Sequence, residues 1–303
     1  MAIQIPFNHD FLPEYGPAED VAPGLRRVTA RNPGPFTFRG TGTYIVGHGK
    51  VAVIDPGPDM DDHVAALLAA LEGEVVSHIL ITHTHNDHSP ASRALARATG
   101  APVLGHGPHG SGKLEQGIVV EEGGDRDFIP DRQIRHGDVI EGEGWTLEAV
   151  HTPGHTSNHL CFAWHETEAL FSGDHVMGWS TSVISPPDGD MGEYMRSLDL
   201  LRKRDDKRYW PTHGAAIEDP GGFIDAFIAH RHEREDQILA CVADGRHTIE
   251  DMLPVVYQGV APAVMGAAAR SLLATVIHLC ETGRLSSEGL VSISARFHVR
   301  KTG

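Results

Sequence analysis

From Thr82 to His88 the chain reads Thr-His-Thr-His-Asn-Asp-His, which places three histidines and a carboxylate within six positions. Neutral imidazole and ionised carboxylate are the usual nitrogen and oxygen ligands of zinc and neighbouring transition metals. Crowding them costs a fold solvation and sets like dipoles against each other, and a bound cation offsets both. The 21 histidines among 303 residues make clusters easier to come by, but this ordered one is more specific than composition alone. Apolar residues 76–81 predict a buried strand before the cluster, and Ser89-Pro90 predicts a helix N-cap with proline in the first helical position after it. The histidines then sit on a loop leaving the carboxyl end of a strand. There His83 and His85, two apart on extended backbone, point the same way, while Asp87 and His88 in the turn reach a different point.

Four more junctions of this kind carry candidate groups. His151-Thr-Pro-Gly-His155 follows a predicted strand at 147–150, and its Pro-Gly turn presents His155. Ser172-Gly-Asp174-His175 follows another, with Gly173 allowing the backbone to come close beside Asp174. Pro211-Thr-His213-Gly follows Tyr209-Trp210, and Ile54-Asp55-Pro-Gly57 ends a strand with a carboxylate in a turn. Each tail alone could be a surface turn; in this order and spacing they specify far more.

With those motifs in place, the chain from about Gly40 to Gly214 resembles the metallo-β-lactamase superfamily of metallo-hydrolases, with a glyoxalase II-like ligand set. That resemblance implies a four-layer αββα sandwich and two divalent metal ions, zinc by default, with iron and manganese suited to the same ligands. It implies that His83, His85 and His155 bind the first ion, that Asp87, His88 and His213 bind the second, and that Asp174 bridges them. Asp55 looks like buried support behind the ligands. Two such cations can share a water and bring its pKa toward neutrality, giving a hydroxide that attacks an acyl carbon or phosphorus. Asp87 is also the candidate to take a proton, second to its ligand role. The other polar residues near these motifs, His106, His109, His151, His159, His175, Tyr194, Arg196 and Ser197, read as loop, wall or packing residues; His106 and His109 look like part of an exposed turn.

The elements that must position these groups alternate. Paired strands at 42–46 and 51–54 turn at His48-Gly49, and a helix at 61–71 leads to the strand before the cluster. A helix at 89–99 closes at Gly100, with a short strand at 102–104 beyond it. Strands follow at 145–150, 160–164 and 169–172, then a helix at 191–204. After Asp219-Pro-Gly-Gly222 the pattern changes to helices at 223–243, 248–255 and 261–280 and a strand-like end at 291–299. This divides the chain into a catalytic unit, 1–217, and a helical unit, 218–303, whose tail resembles the winged helix of the β-lactamase-like protein 2 group. Packing on the sandwich, shaping the pocket and forming a homodimer interface are the roles open to it.

Net charge is −16, and residues 231–303 balance eight Lys/Arg against eight Asp/Glu, so the whole excess lies in residues 1–230. That field repels phosphate backbones and argues against general nucleic-acid binding. No apolar run nears the ~20 residues that span a bilayer, and the start lacks the marks of a signal peptide. Cys161, Cys241 and Cys280 are odd in number and widely spaced, which predicts reduced thiols and a cytoplasmic setting. The expected activity is hydrolysis of a small-molecule ester, thioester, lactone or amide. Two other readings stand beside it: single-stranded RNA cleavage, and persulfide oxidation at one iron, which the full ligand set disfavours. Only 38 residues separate Asp174 from His213, too few for the extra domain of processing nucleases.

Overall fold

The computed structural model describes residues 4–110 and 123–300. Alternation of side chains along the strands dictates the layering. Strands β1 (Ala18–Ala22), β2 (Leu25–Thr29), β3 (Gly42–Val46), β4 (Lys50–Ile54), β5 (Val75–Leu80), β6 (Val103–Gly105) and β7 (Arg132–Gln133) form one sheet in that order. Strands β8 (Val139–Gly142), β9 (Trp145–His151), β10 (Leu160–Trp164), β11 (Ala169–Gly173) and β12 (Arg208–Pro211) form a second, ordered β12-β11-β10-β9-β8. Tyr44, Val46, Ala52 and Ile54 of the first sheet face Leu160, Phe162, Trp164 and Phe171 of the second across one buried core. The intervening Ile45, Val51 and Val53 turn outward onto helices α1 (Asp61–Ala70) and α2 (Ser92–Thr99). Cys161, Ala163 and Leu170 turn outward onto α3 (Met191–Arg202) and the first half of α4 (Pro220–Ala243). Burying each Leu, Phe or Ile here contributes about 1.5–3 kcal/mol, so the period-2 pattern decides which face meets which layer. The outcome is the four-layer αββα sandwich.

The helical unit adds α5 (Ile249–Val256), α6 (Met265–Glu281) and a hairpin of β13 (Leu285–Ser287) with β14 (Phe297–Val299). α4 belongs to both units. Phe223, Ile224 and Phe227 pack into the sandwich, whereas Ile238, Cys241 and Val242 pack with α5, α6 and Phe297.

Three expectations change. Ser89 does not cap α2, because its hydroxyl donates to Asp125 Oδ2 at 2.8 Å; the helix starts three residues later, with Ala91 in the cap position. The strand at 291–299 shrinks to Phe297–Val299, since residues 288–296 arch over to reach β13. Finally, the stretch Pro262–Glu281 is long and apolar enough, by length and composition, to cross a membrane. Half of that stretch is buried inside the protein, as expected of an Ala- and Leu-rich core helix.

Candidate metal centre

Every predicted site residue follows the carboxyl end of a strand on the same edge of the sandwich. β4 and β5 run parallel, as do β11 and β12, so Asp55, the His83–His88 loop, Asp174 and His213 emerge together. β9 delivers His155 to the same edge. The two sheets are stitched there by backbone: Leu160 N donates to Thr82 O at 2.7 Å, and Gly42 N to Thr212 O at 2.9 Å. Two glycines are obligatory. A Cβ on Gly173, at φ +52, would lie 2.6 Å from His159 Nε2, and one on Gly154, at φ +137, would lie 2.3 Å from Tyr194 Cα.

The structure brings all seven candidate ligands together. His83 Nε2 and His155 Nε2 lie 3.0 and 3.1 Å from His85 Nδ1. His213 Nε2 lies 3.1 Å from Asp87 Oδ2 and 3.4 Å from Asp174 Oδ2, and His88 Nε2 lies 3.4 and 3.5 Å from the same two oxygens. His155 Nε2 is 4.0 Å from Asp174 Oδ2, which places Asp174 between the two groups. Three sets converge tightly enough to hold an ion: His83, His85 and His155; His83, His88 and Asp174; Asp87, His88 and His213. The buried Nε2 atoms of His88 and His213 and Oδ1 of Asp174 have no hydrogen-bond partner. Leaving such atoms bare costs about 1–3 kcal/mol each, and a cation supplies the partner they lack. The donor set therefore fits transition-metal ions.

Behind the cluster, four of the five rings have their outer nitrogen held. His88 Nδ1 meets Asp55 Oδ2 at 2.9 Å, His155 Nδ1 meets Val183 O at 2.6 Å, His213 Nδ1 meets Gly40 O at 3.1 Å, and His83 Nδ1 meets Thr82 Oγ1 at 3.0 Å. Donation outward to a carbonyl or carboxylate leaves the inner nitrogen a lone pair for a metal. Asp55 is the hub. Its carboxylate accepts from Thr82 N at 2.8 Å, Thr82 Oγ1 at 2.6 Å and Thr212 Oγ1 at 3.2 Å besides His88, and its backbone sits at φ +49. A left-handed aspartate is strained, and these four bonds hold it there.

Electrostatics divide the cluster. Burial drives His83 and His85 well below the usual imidazole range, and neighbouring imidazoles add to it; His155 is lowered by burial as well. Burial also works against charge on His88 and His213, but Asp87 and Asp174 override it, raising His88 well above the usual range and His213 to about 10. Both carboxyls are correspondingly held far down, because the His88 and His213 contacts outweigh their burial.

Residues set aside on sequence grounds fall outside the cluster. His159 is fully buried; its Nδ1 contacts Thr152 Oγ1 at 2.9 Å, and its Nε2 accepts from Asp174 N at 3.2 Å, so it positions the Asp174 backbone. His151 contacts Ser157 O and stacks on His106 at 4.1 Å. His106 and His109 are half-buried, contrary to the exposed turn expected of them: that stack covers His106, and His109 Nδ1 bonds Thr84 Oγ1 at 2.9 Å. His175 packs against Tyr194, whose hydroxyl donates to His175 O. Ser197 donates to Pro153 O, and Arg196 is exposed beside Glu193. The sequence reading missed Thr82 and Thr212 on Asp55, and Ser182, whose hydroxyl donates to Asp174 O at 2.6 Å. Hydroxyls that act only by propping a carboxylate or carbonyl leave no spacing signal; the one clue was a Thr beside each of three ligand motifs.

The cluster opens on a cleft of about 280 Å³ bounded by Phe36, Asn86, Asp87, Met177 and Val183. A sandwich whose loops gather imidazoles and carboxylates at the mouth of an apolar cleft defines a metallo-hydrolase. Residues 37–213 match the Metallo-beta-lactamase superfamily and residues 248–292 the Beta-lactamase associated winged helix domain, and the chain belongs to that superfamily. An atrochrysone carboxyl ACP thioesterase of Cryptosporiopsis sp. is 35% identical over 233 residues, which cover 75% of this chain and 66% of that protein. A lactamase-like protein of Emericella nidulans is 30% identical over 99% of this chain and 98% of its own length. The crystal structure of a beta-lactamase domain protein from Burkholderia ambifaria shares the fold at a TM-score of 0.80, with 20% identity and 96% of each chain covered.

Proposed function

We propose that the chain is a binuclear metal-dependent thioesterase. In this reading His83, His85 and His155 would hold one divalent transition-metal ion, Asp87, His88 and His213 would hold a second, and Asp174 would serve both. The observation that carries it is the convergence of buried, partnerless His88 Nε2, His213 Nε2 and Asp174 Oδ1 on one cluster. Zinc is the default occupant of such nitrogen and oxygen donors; iron and manganese suit them too. When bound, such a pair polarises a carbonyl oxygen and makes a water acidic enough to attack it near neutral pH.

The chain's own residues do the rest. Asp55, Val183 O and Gly40 O orient the rings of His88, His155 and His213 with their lone pairs inward. Asp87, whose side chain is 21% exposed on the cleft wall, can take up and release a proton beside the scissile carbonyl. Phe36, Met177 and Val183 supply an apolar wall for the acyl portion. Thioesters are the favoured substrates for two reasons. Relatives of this chain carry thioesterase names. A thiolate also leaves without a strong general acid, and the described cleft lining offers no acid besides the ligand carboxylates Asp87 and Asp174.

Metal analysis joined to a substrate panel tests this. Purified protein is expected to carry about two transition-metal ions per chain. It should hydrolyse acyl-pantetheine thioesters faster than oxoesters, β-lactams, bis-p-nitrophenyl phosphate or single-stranded RNA. Fewer than about 1.5 ions per chain would defeat the binuclear assignment. RNA cleavage without thioester hydrolysis, or oxygen uptake with a persulfide, would move the protein to another activity. Asp174→Ala should abolish hydrolysis and loosen the second ion; unchanged turnover would remove Asp174 from its bridging role.

A further inference from the structure

A second cavity, also of about 280 Å³, adjoins the catalytic cleft, lined by residues 179–183 on one side and by the helical unit on the other. The two spaces share Pro35, Phe36 and Val183 as walls. Val183 joins them chemically as well, because its carbonyl fixes His155. The far wall belongs to α4 and the chain after α5: Arg231, Arg234 and Tyr257 line it, with Trp179 facing them. Among the described residues no Asp or Glu lines the cavity, although the chain carries 41 acidic residues against 25 basic ones. Arg231 is 5% exposed and donates to Ser182 O at 2.6 Å, and its ring contact is the face of Tyr194. Arg234 donates to Gln237 and Val256 O and covers Tyr257. Among the described residues neither guanidinium has a carboxylate partner, and the Nε atoms of both, like Nε1 of Trp179, are buried without an acceptor. Burial, with Arg231 and Arg234 adding to it, pushes the neighbouring His230 down to about 3.

We propose that this cavity receives the acyl group of the substrate, and that it selects a flat, apolar acyl group carrying an ionised oxygen. The inference rests on the thioesterase reading for the bond that is cut and deepens it by naming the acyl class. Phe36, Trp179 and Tyr257 give the walls an aromatic character suited to a flat group, and Arg231 and Arg234 offer donors to an anion. A thiol arm rich in amides would leave those rings unused. The winged-helix unit thereby becomes one wall of the substrate pocket.

The test compares N-acetylcysteamine thioesters of 6-carboxy-2-naphthoate, 2-naphthoate and acetate on metal-quantified protein. Wild type should prefer the carboxynaphthoyl over the naphthoyl ester by about tenfold in kcat/KM, and Arg234→Gln should erase most of that ratio. Val264→Trp, which fills the cavity from the mouth of α6, should lower the naphthoyl-to-acetyl ratio by about tenfold or more. Ratios unchanged within about twofold in both variants would overturn the proposal, as would a Val264→Trp effect that follows pantetheine against N-acetylcysteamine in place of the acyl group. Equilibrium binding of naphthalene-2,6-dicarboxylate separates the two layers of inference. If no thioester is cleaved but the dicarboxylate binds wild type and is weakened about tenfold by Val264→Trp and by Arg234→Gln, the anionic aromatic pocket stands and the thioesterase reading falls. If thioesters are cleaved and neither variant changes the acyl ratios or the binding, the pocket falls alone.

Discussion

The sandwich and the helical unit bury polar groups in opposite ways. At the ligand edge of the sandwich a fully buried carboxylate, Asp55, is shared among a backbone amide, two threonine hydroxyls and an imidazole, and bare nitrogens and a bare oxygen remain in front of it. The core of the helical unit is nearly all apolar, built on Ile238, Met252, Leu272, Val276 and Phe297. Its one buried acid, Glu235, is met by Arg284 at 2.5 Å and by His232 at 3.3 Å. The first region gives up stability to hold a reactive constellation still; the second is optimised for packing. Most of the charge follows the same division: residues 1–217 carry 30 Asp/Glu against 17 Lys/Arg, and residues 218–303 carry 11 against 8. α4 ties the two together, so a disturbance in either can be measured against the other.

The largest effect should come from Asp55→Ala. It removes the acceptor for four bonds, one of them to His88, so unfolding should ease by about 3 kcal/mol or more, and metal affinity should fall by about 10–100-fold. Denaturant unfolding and metal analysis of one preparation check both; a normal midpoint with full metal content would break the assignment of Asp55 as the hub. Next comes His63, also in the sandwich, whose Nε2 meets Pro56 O at 2.9 Å and Thr43 Oγ1 at 3.1 Å just behind Asp55. Burial pushes this ring down to about 4, from 6.5 in the unfolded chain. Between those values the unfolded chain binds a proton that the folded one refuses. Its contribution is therefore complete above pH 6.5, is lost as pH falls toward 4, and amounts to about 3 kcal/mol at most. His63→Gln should flatten that part of the stability–pH curve; an identical slope would show that other groups set it.

The same contrast explains what could be read from the chain. The sandwich edge was legible because metal chemistry demands particular side chains at particular strand ends: His83, His85, Asp87, His88, His155, Asp174 and His213 all lie where their motifs placed them. The strands were legible from alternation, since Tyr44 and Val46 must face one core while Ile45 faces another. Ser89 misled because a serine before a proline looks the same whether its hydroxyl caps a helix or reaches a distant acid, and only folding brings Asp125 within range. The 291–299 segment misled because alternating residues also suit an arched wing whose ends alone pair. Least legible was the cavity between the units. Its walls come from Phe36, Trp179, Arg231 and Tyr257, which are far apart in sequence and share no pattern.

Smaller effects should stay inside the helical unit. Glu235→Ala strips one of two carboxylate partners from Arg284, which is 40% exposed, keeps Asp236 and can turn to water, so the loss should be only about 1–2 kcal/mol. Thr248→Ala removes the hydroxyl that accepts from Asp251 N at 3.2 Å at the start of α5, worth about 1 kcal/mol of cap. Neither residue touches the ligand cluster, so metal stoichiometry should be unchanged while hydrogen exchange speeds up in α5 and β13–β14. Because α4 is continuous between the units, the sharper question is how far that loosening travels along it. Protection at Ile238 and Cys241 should fall with the rest of the helical core, whereas Phe223 and Phe227, locked against Tyr194 and Leu198 of the sandwich, should keep theirs. Equal loss along the whole of α4 would mean that the two units unfold as one, and that the opposition between them is one of chemistry but not of stability.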